Sequence, residues 1–128
     1  LGESIEIYNT QENSHTILYG PNGEPQFKNV KGEGFPTGIM GFSDIVVTDQ
    51  HIYSVFQGIR FKDKLASHQR GEKPEDGGRY IYVFDLKGNP LHKYILDKPI
   101  YGIDVNEKTK TIIATCVESD EPIMGFKI

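Results

Sequence analysis

The chain has a single cysteine, Cys116, so no internal disulfide is possible, and its apolar strand-like setting suits a buried thiol. That lone residue does not identify a compartment. No apolar run is long enough to cross a bilayer as a helix. There is no G-x-S-x-G elbow, no phosphate-binding loop and no dinucleotide fingerprint, which removes the commonest nucleophile and nucleotide signatures. The histidines His15, His51, His68 and His92 lack H-x3-H spacing and a cysteine partner, so a zinc centre is not expected. A net charge of −4 with no basic stripe argues against a nucleic-acid partner. Lys62-Asp63-Lys64 and Arg70–Lys73 are mixed in sign and read as solvated charge. The chain opens on Leu1-Gly2 with no signal peptide, which reads as a processed or truncated product.

What is present is β structure. With 128 residues the chain is one domain at most, or part of one; 25% charged and 37% hydrophobic residues are ordinary for a soluble chain. Fourteen glycines and seven prolines, with few helical stretches, point to an all-β chain with many turns. The organising stretch is Arg79–Asp97, RYIYVFDLKGNPLHKYILD. Tyr80 to Phe84 are aromatic or β-branched, the types that fit a packed pleated surface. Lys87-Gly88-Asn89-Pro90 reverses the chain, Gly88 taking positive φ without a Cβ clash, and Leu91–Leu96 returns. Tyr80, Tyr82 and Phe84 fall on one face and Ile81 and Val83 on the other, so both faces of this sheet are expected to be covered.

Pieces of the same unit recur. Glu3–Tyr8 and His15–Tyr19 form a hairpin about the turn Asn9–Ser14, and align with the organising hairpin at an offset of 76 residues. Gly20–Pro25 is breaker chemistry, and the segment to Gly41 reads as a long loop with a short extended piece at Gln26–Val30. Phe42–Thr48 and Ile52–Gln57 are strands joined at Asp49–His51. Gly58–Gly78 lacks apolar periodicity and reads as a long solvated loop, a length that is usually functional or disordered. After a short link at Asp97–Pro99, Tyr101–Val105, the turn Asn106–Lys110 and Thr111–Val117 repeat the pattern of residues 42–57. Glu118–Pro122 turns the chain into Ile123–Ile128, where Phe126 falls 42 residues after Phe84, close to the spacing of a propeller blade.

Naming the strands of one unit a to d, the order is c-d, a-b-c-d, a-b-c: an antiparallel meander of about nine strands. A β-sandwich or barrel also has evenly spaced strands, but it does not require units that resemble one another. The expected fold is therefore all-β, part of a β-propeller of about two and a quarter blades. Its pieces are residues 1–20 (c-d), 42–97 (a complete blade) and 100–128 (a-b-c).

The run IYVFDLKGNPLHKYILDKPIYGIDVNEKTKTIIATCVESDEPIMGFKI resembles the C-terminal end of the TolB-like, six-bladed propeller proteins of bacteria, and IEIYN…ILYGPNGEP is similar to a blade boundary in them. The resemblance covers nearly the whole chain and rests on pattern, not on catalytic residues. It implies a piece of a larger protein that is exported, periplasmic or lipid-anchored, with the last blade closed by an N-terminal strand. The open blade edges of such a piece imply self-association.

In a meander the b–c and d–a connections emerge at one end, and both long ones here, Gly20–Gly41 and Gly58–Gly78, are of that kind. Loops on a rigid scaffold are where binding concentrates, so this elaborated face is the expected site for a protein or glycan partner. Its candidate ligand residues are Phe35, Arg60, His68 and Arg70. The other expectation is a hydrolase or lyase in which Asp44 and Asp104, on channel-lining a strands, bind a divalent metal; such residues more often hydrogen-bond a neighbouring backbone. The acidic turn Glu118, Asp120, Glu121 lacks EF-hand spacing and reads as solvated. On the leading reading no cofactor is implied.

Overall fold

The computed structural model describes residues 2–116 and 119–128. Strands β1 (Ser4–Asn9) and β2 (Ser14–Tyr19) form an antiparallel hairpin, and β3 (Phe27–Val30) and β4 (Glu33–Pro36) form a second. Then come β5 (Ile39–Val47), β6 (His51–Arg60), helix α1 (Phe61–Gln69), β7 (Gly78–Asp85) and β8 (Pro90–Ile100). These four strands make one sheet in chain order. Finally β9 (Ile103–Asn106), β10 (Thr111–Thr115) and β11 (Ile123–Lys127) form a three-stranded antiparallel meander. The all-β expectation holds.

Three sequence expectations are corrected. Gly58–Gly78 is not a structureless loop, since nine of its residues form α1. The helix buries no side chain, so it carries no apolar stripe for periodicity to detect; its Lys, Leu, Ala and Gln content favours helix without one. Gly71, at φ 74°, and Pro74 stop it. The long loop between Gly20 and Gly41 contains the β3–β4 hairpin, of which only the first strand was legible; Lys31 and Gly32, with φ 53° and 86°, make its turn. The link Asp97–Pro99 lies within β8, which pairs as far as Gly78–Ile100 across an irregularity in the ladder. The ends of two expected segments, Val117 and Glu118, lie outside the described residues.

The chain divides into two compact units. The first comprises the stretch ending at Phe42 together with Gly58–Glu75; it holds both hairpins and α1. Ile5 and Leu18, cross-strand partners on β1 and β2, form its buried apolar pair. Backbone hydrogen bonds from Phe42 to Gly2 (3.2 Å), Thr37 to Gln26 (3.0 Å) and Phe61 to Gly38 (3.1 Å) hold its segments in place.

The second unit, Ser43–Gln57 with Asp76–Ile128, holds the main core. Tyr53, Val55, Ile81, Val83, Leu96 and Ile100 pack with Ile103, Ile112 and Ala114, so strands of the four-stranded and three-stranded sheets share one interior. Fully burying an Ile or Val contributes about 1.5–3 kcal/mol, and Val55, Ile81 and Ile100 are wholly buried. On the opposite face of β7 the half-buried Tyr80 and Tyr82 pack against neighbours on the adjoining strands of the same sheet. Tyr82 meets Phe56 edge-on at 5.1 Å, and the Lys93 ammonium lies over the Tyr80 ring at 4.5 Å.

The hairpin repeat extends to turn chemistry. Asn9 Oδ1 accepts the N–H groups of Gln11 and Glu12, and Asp85 Oδ1, 76 residues on, accepts those of Lys87 and Asn89. Gly88 follows at φ 91°, as expected. The side-chain bond from Asn89, helped by the turn amides, holds the Asp85 carboxyl below its ordinary value.

Gly41 is a test of close backbone approach. A Cβ there would collide with the Gly2 carbonyl oxygen and lie 2.7 Å from Glu3 Cα, both backbone atoms with little room to yield. A Cβ on Gly125 would meet open space. Gly41→Ala is expected to destabilise by about 1–3 kcal/mol, and Gly125→Ala to stay within about 0.5 kcal/mol. Urea unfolding midpoints check this; equal shifts for the two would refute the packing argument.

Candidate functional site

The first unit contains a cleft of about 250 Å³ lined by Glu3, Asn22, Glu24, Pro25, Gln26, Thr37, Gly38, Ile39 and Arg60. Its floor group is unusual. Glu3 is 3% exposed, yet it is a carboxylate. Period two explains how it gets there: Glu3 shares a strand face with Ile5, and Gly20 opposite leaves no Cβ to displace its side chain. Oε1 accepts the Asn22 side-chain amide at 2.8 Å and more weakly its backbone N–H at 3.4 Å. Among the described residues no cation and no further donor reaches this carboxylate, so Oε2 is left without a protein partner. A buried carboxylate is costly unless it is paired or well hydrogen-bonded.

Arg60 stands on the cleft wall at the junction of β6 and α1, in extended conformation, and the N–H of the next residue is anchored on Gly38. Its guanidinium has no ion pair or hydrogen bond among the described residues. The cleft thus offers two carboxylates, Glu3 and Glu24, one cation, and the neutral polar groups of Asn22, Gln26 and Thr37. A narrower apolar hollow, lined by Phe27, Pro36, Met40 and Phe61, shares the walls Pro25, Gln26, Gly38 and Ile39 with it. Phe61 also borders a shallow groove of about 230 Å³ formed with Lys64, Leu65, His68 and Pro74.

Of the residues singled out from sequence, Arg60 lines the cleft and His68 the neighbouring groove. Phe35 is 44% exposed on β4 and lines neither. Arg70 is engaged by Glu72 through two bonds of 2.9 and 3.0 Å and by Ser67 at 3.3 Å. Asp44 Oδ2 accepts the Ile103 N–H at 2.8 Å, fixing the start of β9, while its backbone carbonyl accepts Ser54 Oγ. Asp104 accepts the amide of the adjacent Val105. Among the described residues no three His, Cys, Asp or Glu side chains converge on a metal-sized space. Asp120 and Glu121 are exposed, and Glu118 lies outside the described residues. Glu3 and Asn22 were missed; the signal for Glu3 was a charge on the Ile5 side of an alternating strand.

A second network joins distant turns in the other unit. Glu107 Oε1 accepts from His51 Nδ1 at 2.6 Å, Thr48 Oγ1 at 2.8 Å and Tyr53 OH at 3.1 Å, tying the β9–β10 turn to the β5–β6 turn. The His51 bond, with those from Thr48 and Tyr53, holds the Glu107 carboxyl below its ordinary value. Burial and the same carboxylate push the Tyr53 phenol up to about 12. Because the folded state holds the Glu107 proton less tightly than the unfolded chain, this stabilisation is complete above the ordinary carboxylate value and is lost as pH falls through the lowered one. Glu107→Gln should cost about 1 kcal/mol at neutral pH. Its deficit relative to wild type should shrink on acidification, measured by urea unfolding from about pH 7 to about pH 3; a pH-independent deficit would overturn this reading.

Antiparallel meanders in successive sheets that share one core define the chain as part of a β-propeller. The family model described as TolB-like 6-blade propeller-like matches residues 2–108, and the chain belongs to that family. No curated protein and no solved structure gives a significant match.

Proposed function

We propose that the chain is a non-enzymatic binding module of a propeller protein, and that it meets a protein or glycan partner through the surface built by residues 20–41 and 58–78. In this reading β5–β8 form one complete blade, β1–β2 belong to a second and β9–β11 to a third. The observation that carries the proposal is the Glu3–Arg60 cleft. The two long connections fold with β1–β2 into one compact unit, and that unit holds a buried carboxylate bonded, among the described residues, only by Asn22, and a guanidinium with no ion pair or hydrogen bond among them. An under-partnered buried charge destabilises the ligand-free chain, and a bound group of opposite sign offsets that cost, which is how a recognition site differs from a structural ion pair. Loops fixed on a sheet scaffold give such groups a defined geometry.

The test is thermal denaturation of the purified protein against panels of short peptides and of oligosaccharides. A ligand at 100 times its Kd adds about 2.7 kcal/mol, which raises the melting temperature by several degrees. One panel is expected to contain stabilising members whose effect disappears in Arg60→Gln. No stabilisation from either panel, or stabilisation insensitive to Arg60, would refute the proposal.

A further inference from the structure

The cleft has a charge pattern that selects among ligands. Glu3 is deeply buried, its Oε1 is held by Asn22, and Oε2 is unpartnered on a cleft that also presents Glu24. The Arg60 guanidinium, unpaired among the described residues, stands on the same wall. Two carboxylates and one guanidinium leave the lining with one net negative charge, so it favours a cationic group that has a hydrogen-bond acceptor close beside it. A bare divalent cation fits poorly: the guanidinium repels it, and among the described residues no three candidate ligand side chains converge. Beside these polar groups the cleft is walled by the apolar side chains of Pro25 and Ile39.

We infer that the cleft captures the free amino terminus of a peptide. The α-ammonium group sits at Glu3 Oε2 and Glu24, the first peptide carbonyl accepts from Arg60, and the following apolar side chains lie against Pro25 and Ile39. An α-ammonium carries its peptide carbonyl on the adjacent carbon, so one end of the ligand offers both a cation for a carboxylate and an acceptor for a guanidinium; a lysine ammonium, at the end of an alkyl chain, offers only the first. No covalent step is involved. The inference rests on the reading of this face as a binding surface and names its ligand class.

The probe is a C-terminally amidated tripeptide with apolar second and third residues, compared with its N-acetylated twin by calorimetry on the intact chain. The free-amine peptide is expected to bind at least tenfold more tightly than the acetylated one. Glu3→Gln, which keeps the acceptor for Asn22, and Arg60→Gln, at an exposed side chain, should each lose at least tenfold, while Lys98→Gln should not change binding. Should Glu3→Gln fail to fold, the acetylation comparison and Arg60→Gln still decide the matter. Equal binding of free and acetylated peptides overturns the inference. So does binding of a neutral oligosaccharide with no response to the amine peptide, although that outcome leaves the binding-module reading standing. If neither peptides nor oligosaccharides bind, both fail.

Discussion

A sheet with apolar side chains on both faces cannot be stable by itself, and β7 imposes that condition here. Ile81 and Val83 point one way and Tyr80, Tyr82 and Phe84 the other, so each face must be covered by something else. On the Ile81 side the cover comes from Ile103, Ile112 and Ala114 of the three-stranded sheet, which join the same interior. Successive sheets are thereby obligatory neighbours, the physical basis of a repeat architecture in which no unit folds alone. Polar contacts then fix the register of one sheet against the next. The Asp44 carboxylate positions the first amide of β9, and Glu107 gathers three donors from the β5–β6 hairpin.

That dependence made the framework legible. Period-two alternation, breaker residues and turn glycines located the nine strands of the meander, and the 76-residue offset extends to the side-chain oxygens that organise the two turns. What stayed hidden shares one property: it carries no periodic apolar signal. α1 buries nothing, and β4, with the sequence EGFP and no buried side chain, has no alternation to find. The network at Glu107 joins residues 54 to 59 positions apart, and no local pattern encodes a contact at that separation. Phe35, Arg60, His68 and Arg70 were all chosen because they sit in elaborated connections; Arg60 lines the cleft and His68 the groove, whereas Phe35 lines neither and Arg70 is paired with Glu72.

The cleft reverses the logic of the core. In the main core the apolar side chains are covered by one another; at Glu3 the fold buries most of a carboxylate against the cleft and, among the described residues, supplies only Asn22 as a side-chain donor. A folded chain that carries such a group is less stable than it would be with an apolar replacement of similar shape, and conformations or ligands that bring a donor to it are favoured. The glycine opposite, Gly20, whose Cβ would press on the Glu3 side chain at 2.9 Å, shows that this position depends on room made for it.

Helix α1 differs from every other long element in contributing nothing to an interior: none of its nine residues is buried, and a single backbone bond from Phe61 to Gly38 fixes its start. Such a segment is decoupled from the stability threshold that constrains the strands. Lineages descending from this chain are free to rewrite its outward positions, or lengthen it by a turn, without repacking β6 or β7. The helix is therefore where sequence divergence can accumulate fastest, while the sheets stay unchanged.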